Sequence, residues 1–202
     1  MNMEIENTGG TSPFRGPGGL ARIAIVGPES TGKSTMSAYL AAHYHTVAVP
    51  EYARDYCAAL TAPPTIDDEV NMFYGQLALE EELAPKANGI LICDTTFITV
   101  KIWSDAFFGY TPQVVLNELP KHPYHLYLLL DIDLPWQDDP LRDFPTQREH
   151  FMQVWHRELQ ALGANYVVIS GLEQDRYNNA VGAIDGFLAT QKFPPERGAV
   201  GW

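Results

Sequence analysis

The chain has 202 residues, 46% of them apolar, and a formal net charge of −12. That length suits one domain with a sizeable core, and the acidic balance argues against holding nucleic acid by its phosphates, which calls for a basic face. No stretch approaches the roughly 18 apolar residues of a membrane span.

In chain order, residues 1–19 are rich in Gly, Pro, Ser and Thr, lack an apolar signal core, and are expected to be a flexible tail. With no export signal, the cytoplasm is the expected location. Short β-like runs then alternate with longer helical ones. Strands are expected at 21–26 (ARIAIV), 46–50 (TVAVP), 90–93 (ILIC), 125–130 (HLYLLL) and 166–170 (YVVIS). Helices are expected at 34–43, 66–84, 95–107, 147–162 and 174–188. The runs ILIC, LYLLL and YVVI are apolar throughout, as in strands covered on both faces. Strand and helix in repetition predict an α/β three-layer domain over 20–190, with a central five-stranded parallel sheet. Residues 131–146 (DIDLPWQDDPLRDFPT) break the rhythm. They are too long for an ordinary connection and read as a lid. Residues 191–202 read as a second tail. Cys57 and Cys93 lie far apart with no CxxC pair, so two reduced thiols are expected rather than a disulfide or zinc site.

Residues 27–34 read GPESTGKS, an intact phosphate-loop (Walker A) pattern between an apolar strand and a helical run. Gly27 and Gly32 let the chain curl so that backbone N–H groups, with those of Glu29, Ser30, Thr31 and Thr35, face a triphosphate. Lys33 puts a positive charge near the transferring phosphoryl group, and Ser34 offers its hydroxyl to Mg²⁺. An open parallel sheet binds ligands beyond the carboxyl ends of its strands. Glu51, Asp94 and Asp131 follow strands two, three and four. Asp94 is expected on Mg²⁺, directly or through water, the alternative being a helix cap. Glu51 is a candidate base for a substrate hydroxyl, the alternative being a cap or an ion pair with Arg54. Asp131 reads as a turn residue. Around Glu51, Tyr52 and Arg54 suit a polar, ring-bearing ligand, with Gln76 offering an amide. Trp103, Phe107, Phe108 and Tyr110 add aromatic surface. Arg142 and Arg148 in and after the lid are candidates to close on the transferring phosphate, or to pair with nearby acids.

Taken in order, GPESTGKST, EYARDY, ICDTTFITVKIW, PWQDDPLR and DRYNNAV resemble the ribosylnicotinamide kinase domain of the bacterial NadR proteins, over about residues 20–190. The resemblance implies a nucleoside- and nucleotide-kinase fold and ATP- and Mg²⁺-dependent phosphorylation of the 5′-hydroxyl of nicotinamide riboside. It carries over Gly27, Gly32, Lys33, Ser34 and Thr35 to the phosphates, and Glu51, Tyr52, Arg54 and Asp94 to substrate and metal. It places Trp136, Asp139 and Arg142 in the lid, and Asp175, Arg176 and Tyr177 beside the ATP. The lid has Pro140 where a glycine is expected. Full-length members carry DNA-binding and adenylyltransferase domains ahead of the kinase, where this chain has some twenty residues, so those two functions are not expected of it.

Two other readings stay open: a kinase for another nucleoside or small metabolite, and an ATP-binding regulatory switch. A GTPase would show an [NT]KxD motif, and none of the five lysines (33, 86, 101, 121, 192) sits in one. The expected partners are ATP and a nucleoside-like molecule, with no nucleic acid and no membrane; a homo-oligomer stays open.

Overall fold

The computed structural model describes residues 19–190; the two expected tails, apart from Gly19, lie outside the described residues. Five strands form one sheet: β1 (Ala21–Val26), β2 (Ala48–Val49), β3 (Ile90–Asp94), β4 (Leu126–Leu130) and β5 (Tyr166–Ile169). Their order is β2-β3-β1-β4-β5, and every pairing is parallel. The chain leaves β1 toward β2 and β3, and leaves β4 toward β5. The carboxyl ends of β1 and β4 therefore flank the point where the connections diverge, which is where an open α/β sheet forms its crevice.

Alternation along the strands makes the three layers. Ala21, Ile23 and Ile25 point toward Met36 and Leu40 of α1 (Lys33–His43) and Ala180 and Ile184 of α7 (Glu173–Thr190). Ala24 and Val26 point the other way, toward Phe73 of α3 (Ile66–Leu83), Phe97 of α4 (Phe97–Phe108) and Trp155 of α6 (Arg148–Ala161). Ile23 and Ile25 are fully buried, each contributing about 1.5–3 kcal/mol by leaving water. One polar group sits within the second layer. Glu80 of α3 is buried, pairs with Arg22 at 2.6 Å, and accepts from the Tyr124 hydroxyl.

The fold departs from the sequence reading at several elements. β2 is only two residues long: it is the edge strand, and Pro50 after it has no N–H for a ladder. β5 is not covered on both faces as its apolar run suggested. It is the other edge strand, with Val167 and Val168 39% and 37% exposed. Two helices were not expected, α2 (Tyr52–Ala59) and α5 (Gln113–Glu118). None of the α2 side chains is buried, so α2 has no apolar stripe for periodicity to find. α3 begins at a reciprocal cap: the Asp68 N–H donates to the Thr65 hydroxyl, and the Asp68 carboxylate accepts the Thr65 N–H at 2.7 Å. No helix among the described residues is long and apolar enough to cross a membrane.

Candidate active site

The loop between β1 and α1 is shaped by three residues at positive φ, namely Gly27 (140°), Ser30 (58°) and Gly32 (77°). Gly27 is obligatory for a second reason: a Cβ there would stand 2.8 Å from the Leu130 carbonyl oxygen at the end of β4. Gly32 caps α1, so the first N–H groups of that helix, at Lys33, Ser34 and Thr35, have no partner within it and form an anion-binding end. The Thr31 hydroxyl ties the loop inward by donating to the Pro28 carbonyl at 2.8 Å. Lys33 folds back, its ammonium donating to the carbonyls of Gly27 and Pro28 at 3.2 and 3.0 Å.

Two acids converge beside this loop. Asp94 ends β3 and is almost wholly buried. Burial pushes its carboxyl up to about 6, against the opposing pull of the Ser34 hydroxyl; Glu51 raises it further, and Lys33 and Arg54 lower it. Its Oδ1 is buried without a hydrogen-bond partner. Asp94 does not cap the next helix, whose cap is Thr96. Between them, Thr95 adopts φ 74°, an outlier for a β-branched residue. Glu51 precedes α2 and lines the cleft, without a side-chain capping hydrogen bond. Arg54 is ion-paired with Asp139, not with Glu51. Asp94 and Ser34 therefore offer one anionic oxygen and one hydroxyl, the hard donors Mg²⁺ takes when phosphate oxygens complete its shell; the residues fit the ion.

Residues 131–147 form no helix or strand and lie over the phosphate loop. The Gln137 N–H donates to the Ser30 hydroxyl at 2.8 Å and the Asp143 N–H to Glu29 at 3.1 Å. Burial raises the Glu29 carboxyl to about 7, opposed by that Asp143 hydrogen bond. Phe144 stacks on Trp103, with centroids 6.0 Å apart and planes at 11°, and packs on Phe107 and Phe151. Together the loop, Glu51, the lid and helices α2–α4 line a cleft of about 1030 Å³, with Asp94 buried beside the loop and outside the lining; that volume is at the upper end for ligand pockets.

A family model described as an AAA domain matches residues 22–176, most of the chain. The chain belongs to this family. It is a NadR-like P-loop NTPase. It is 28% identical over 163 residues to the trifunctional NAD biosynthesis/regulator protein NadR of Escherichia coli (strain K12), covering 78% of this chain and 39% of that one. The Salmonella typhimurium (strain LT2) protein of the same name is also 28% identical, over 76% of this chain and 39% of its own. The chain thus spans about two fifths of the length of these relatives. Among solved structures, a NadR protein in complex with NR superposes with a TM-score of 0.71 at 22% identity, covering 86% of this chain and 52% of that chain. Thymidylate kinase from Ehrlichia chaffeensis gives 0.57 at 16% identity, over 83% and 98%. The fold is that of the P-loop kinases.

Within this NadR-like frame, the structure gathers the whole loop from Gly27 to Thr35, and Glu51, Arg54, Gln76, Trp103, Arg142 and Arg176, around the cleft. Five expected residues sit differently, the first being Asp94, which is buried beside the loop and does not line the cleft. Tyr52 does not line the cleft: its ring lies over Gly75, where a Cβ would stand 2.1 Å from it, and its N–H donates to Gln76 Oε1 at 2.9 Å. That bond also occupies the Gln76 acceptor. Trp136 is outside the lining as well, its indole N–H bonded to Asp138 at 2.7 Å. Arg148 lies behind the loop, donating to the carbonyls of Leu134 and Ser30 at 2.8 and 3.3 Å; its guanidinium is a staple between lid and loop. Arg176 reaches the cleft wall, but its guanidinium is held by the Thr31, Asp131 and Gly171 carbonyls and by Asp133. It braces the phosphate loop from below. Asp131 accepts from the Ile132 N–H and the Ser170 hydroxyl, as a turn residue does. Phe107 and Phe108 line the cleft, whereas Tyr110 is 55% exposed and does not. Of the two remaining tail-end positions, Tyr177 lines the cleft and stacks on Tyr39, while Asp175 is exposed. Glu69, Met72 and Cys57 also line the cleft and were not expected there from the sequence. The α3 pattern contained the signal, since 69, 72 and 76 share a helical face.

Proposed function

We propose that the protein is an ATP- and Mg²⁺-dependent kinase that phosphorylates the 5′-hydroxyl of nicotinamide riboside, or of a closely related nucleoside, to the nucleotide. The observation that carries this reading is the convergence in one cleft of the phosphate loop with Glu51, which has no ion pair among the described residues. ATP lies along the loop, its β- and γ-phosphates on the loop N–H groups and the α1 N-terminus. Lys33 leaves the Gly27 and Pro28 carbonyls for the γ-phosphate. Ser34 and Asp94 hold the Mg²⁺, which when bound neutralises charge on the phosphate oxygens. Glu51 accepts the proton of the acceptor hydroxyl and aligns its oxygen with the γ-phosphorus. Arg142, on the lid, approaches the charge that develops on the transferring group. There is little covalent chemistry to perform, so position and charge carry most of the rate.

The acceptor end favours a nucleoside over a nucleotide. From Glu51 to Leu83 the chain has one cationic side chain, Arg54, and it is already paired with Asp139. An acceptor monophosphate would meet Glu51 and Glu69 in the cleft lining from these elements, and no cation of theirs unpaired among the described residues. The role of Glu51 is tested by Glu51→Gln. A kcat reduced by roughly 10²–10⁴-fold with little change in the KM for ATP is expected of a general base. An unchanged kcat removes that role from Glu51.

A further inference from the structure

Most of the buried face of α3 is accounted for. Phe73 enters the core, Glu80 is paired with Arg22 and Tyr124, and Gln76 holds the Tyr52 N–H. Glu69 is not. Its side chain sits one turn N-terminal to Met72 on the face that lines the cleft, and the residue is only 3% exposed. It has no hydrogen bond or ion pair with any described residue. Burial and the neighbouring Asp68 push its carboxyl up to about 7. Beside it are Met72 and Cys57, with Sδ and Sγ 3.6 Å apart, and the same cleft lining includes the apolar Leu60, Pro63 and Pro64 from the α2–α3 connection. A carboxyl withdrawn from water with no partner destabilises a fold, and one that opens on a cleft is where ligand recognition is expected.

We propose that Glu69 is the charge-reading residue of the acceptor end and selects an acceptor whose ring carries a positive charge. The inference rests on the kinase reading above and adds to it what the far end of the cleft recognises. A cationic ring, such as an N-ribosylated pyridinium, supplies the missing partner for the carboxylate and lays its apolar faces on the two sulfur side chains. A carboxylate borne by the ring meets like charge in a low-dielectric pocket and is rejected.

The full chain tests this with three acceptors, nicotinamide riboside, its ring-carboxylate analogue nicotinic acid riboside, and uridine, in wild type and Glu69→Gln. Wild type is expected to favour the amide over the carboxylate by roughly tenfold or more in kcat/KM and the variant to narrow that preference to roughly threefold or less, with uridine as the uncharged-ring reference in both proteins. An equal preference in both proteins overturns the assignment. A binding measurement separates this failure from failure of the kinase reading. Calorimetric titration compares 1-methylnicotinamide, a cation, with neutral nicotinamide. Preferential binding of the cation by wild type, lost in Glu69→Gln, supports the site even if nicotinamide riboside is not phosphorylated. Absent or equal binding of the two by wild type refutes it.

Discussion

Replacing Glu69 with Gln tests the buried carboxyl by a route that needs no ligand. Its pKa is moved from an ordinary 4.5 to about 7. The folded protein therefore holds the proton more tightly than the unfolded chain, and stability falls as pH rises between those two values, then stays reduced above about 7. At about 1.4 kcal/mol per pH unit the shift corresponds to about 3.5 kcal/mol, which water reaching the cleft-facing carboxyl reduces to about 3 kcal/mol at most. Gln has nearly the same shape and never ionises. The variant should therefore be more stable than wild type by about 3 kcal/mol at pH 8.5 and by less than about 1 kcal/mol at pH 5. In a domain of this size that is a Tm higher by roughly 6–12 °C at the alkaline pH. Thermal unfolding of ligand-free protein, followed by circular dichroism at both pH values, measures it. A variant equally or less stable than wild type at pH 8.5 would refute the claim that Glu69 is buried without a partner.

Two further outcomes follow from the site. Lys33→Ala should lower kcat by roughly 10³-fold or more, because it removes the charge held beside the transferring phosphoryl group, while circular dichroism and Tm stay near wild type; near-normal turnover would remove Lys33 from the mechanism. Gly75→Ala gains about 1 kcal/mol in helix propensity but sets a Cβ against the Tyr52 ring, a clash of about 1–3 kcal/mol. Its Tm should therefore be unchanged or lower by up to roughly 8 °C. Because Tyr52 directly follows Glu51, the displaced ring should raise the acceptor KM or lower kcat several-fold, and steady-state kinetics with unaltered values would show that the contact is immaterial to the site.

The parts of the site legible in the sequence are those built from consecutive residues. The phosphate loop is one stretch whose glycines and lysine are dictated by its own geometry, and Asp94 follows from the apolar run before it. The parts that were not legible depend on partners distant in the chain. Arg148 and Arg176 look like phosphate ligands until the fold supplies the carbonyls of Ser30, Thr31, Asp131 and Leu134 to receive them. The aromatic stack over the cleft wall needs Phe144 from the lid to meet Trp103 from α4. Glu69 is invisible as one of three acids in the first turn of α3, Asp67, Asp68 and Glu69, because only packing shows that the third is buried. The same limit explains the two edge strands: residue type alone told neither that β2 would pair along two residues nor that β5 would keep Val167 and Val168 partly open.

Kinase activity toward a nucleoside is tested most directly by ATP turnover of the full chain in the presence of Mg²⁺, measured alone and with nicotinamide riboside, uridine, thymidine or adenosine. Little ADP is expected without an acceptor and the fastest release with nicotinamide riboside, matched by formation of the 5′-nucleotide. ADP release that is indifferent to every acceptor, or the absence of any phosphorylated nucleoside, would contradict that activity.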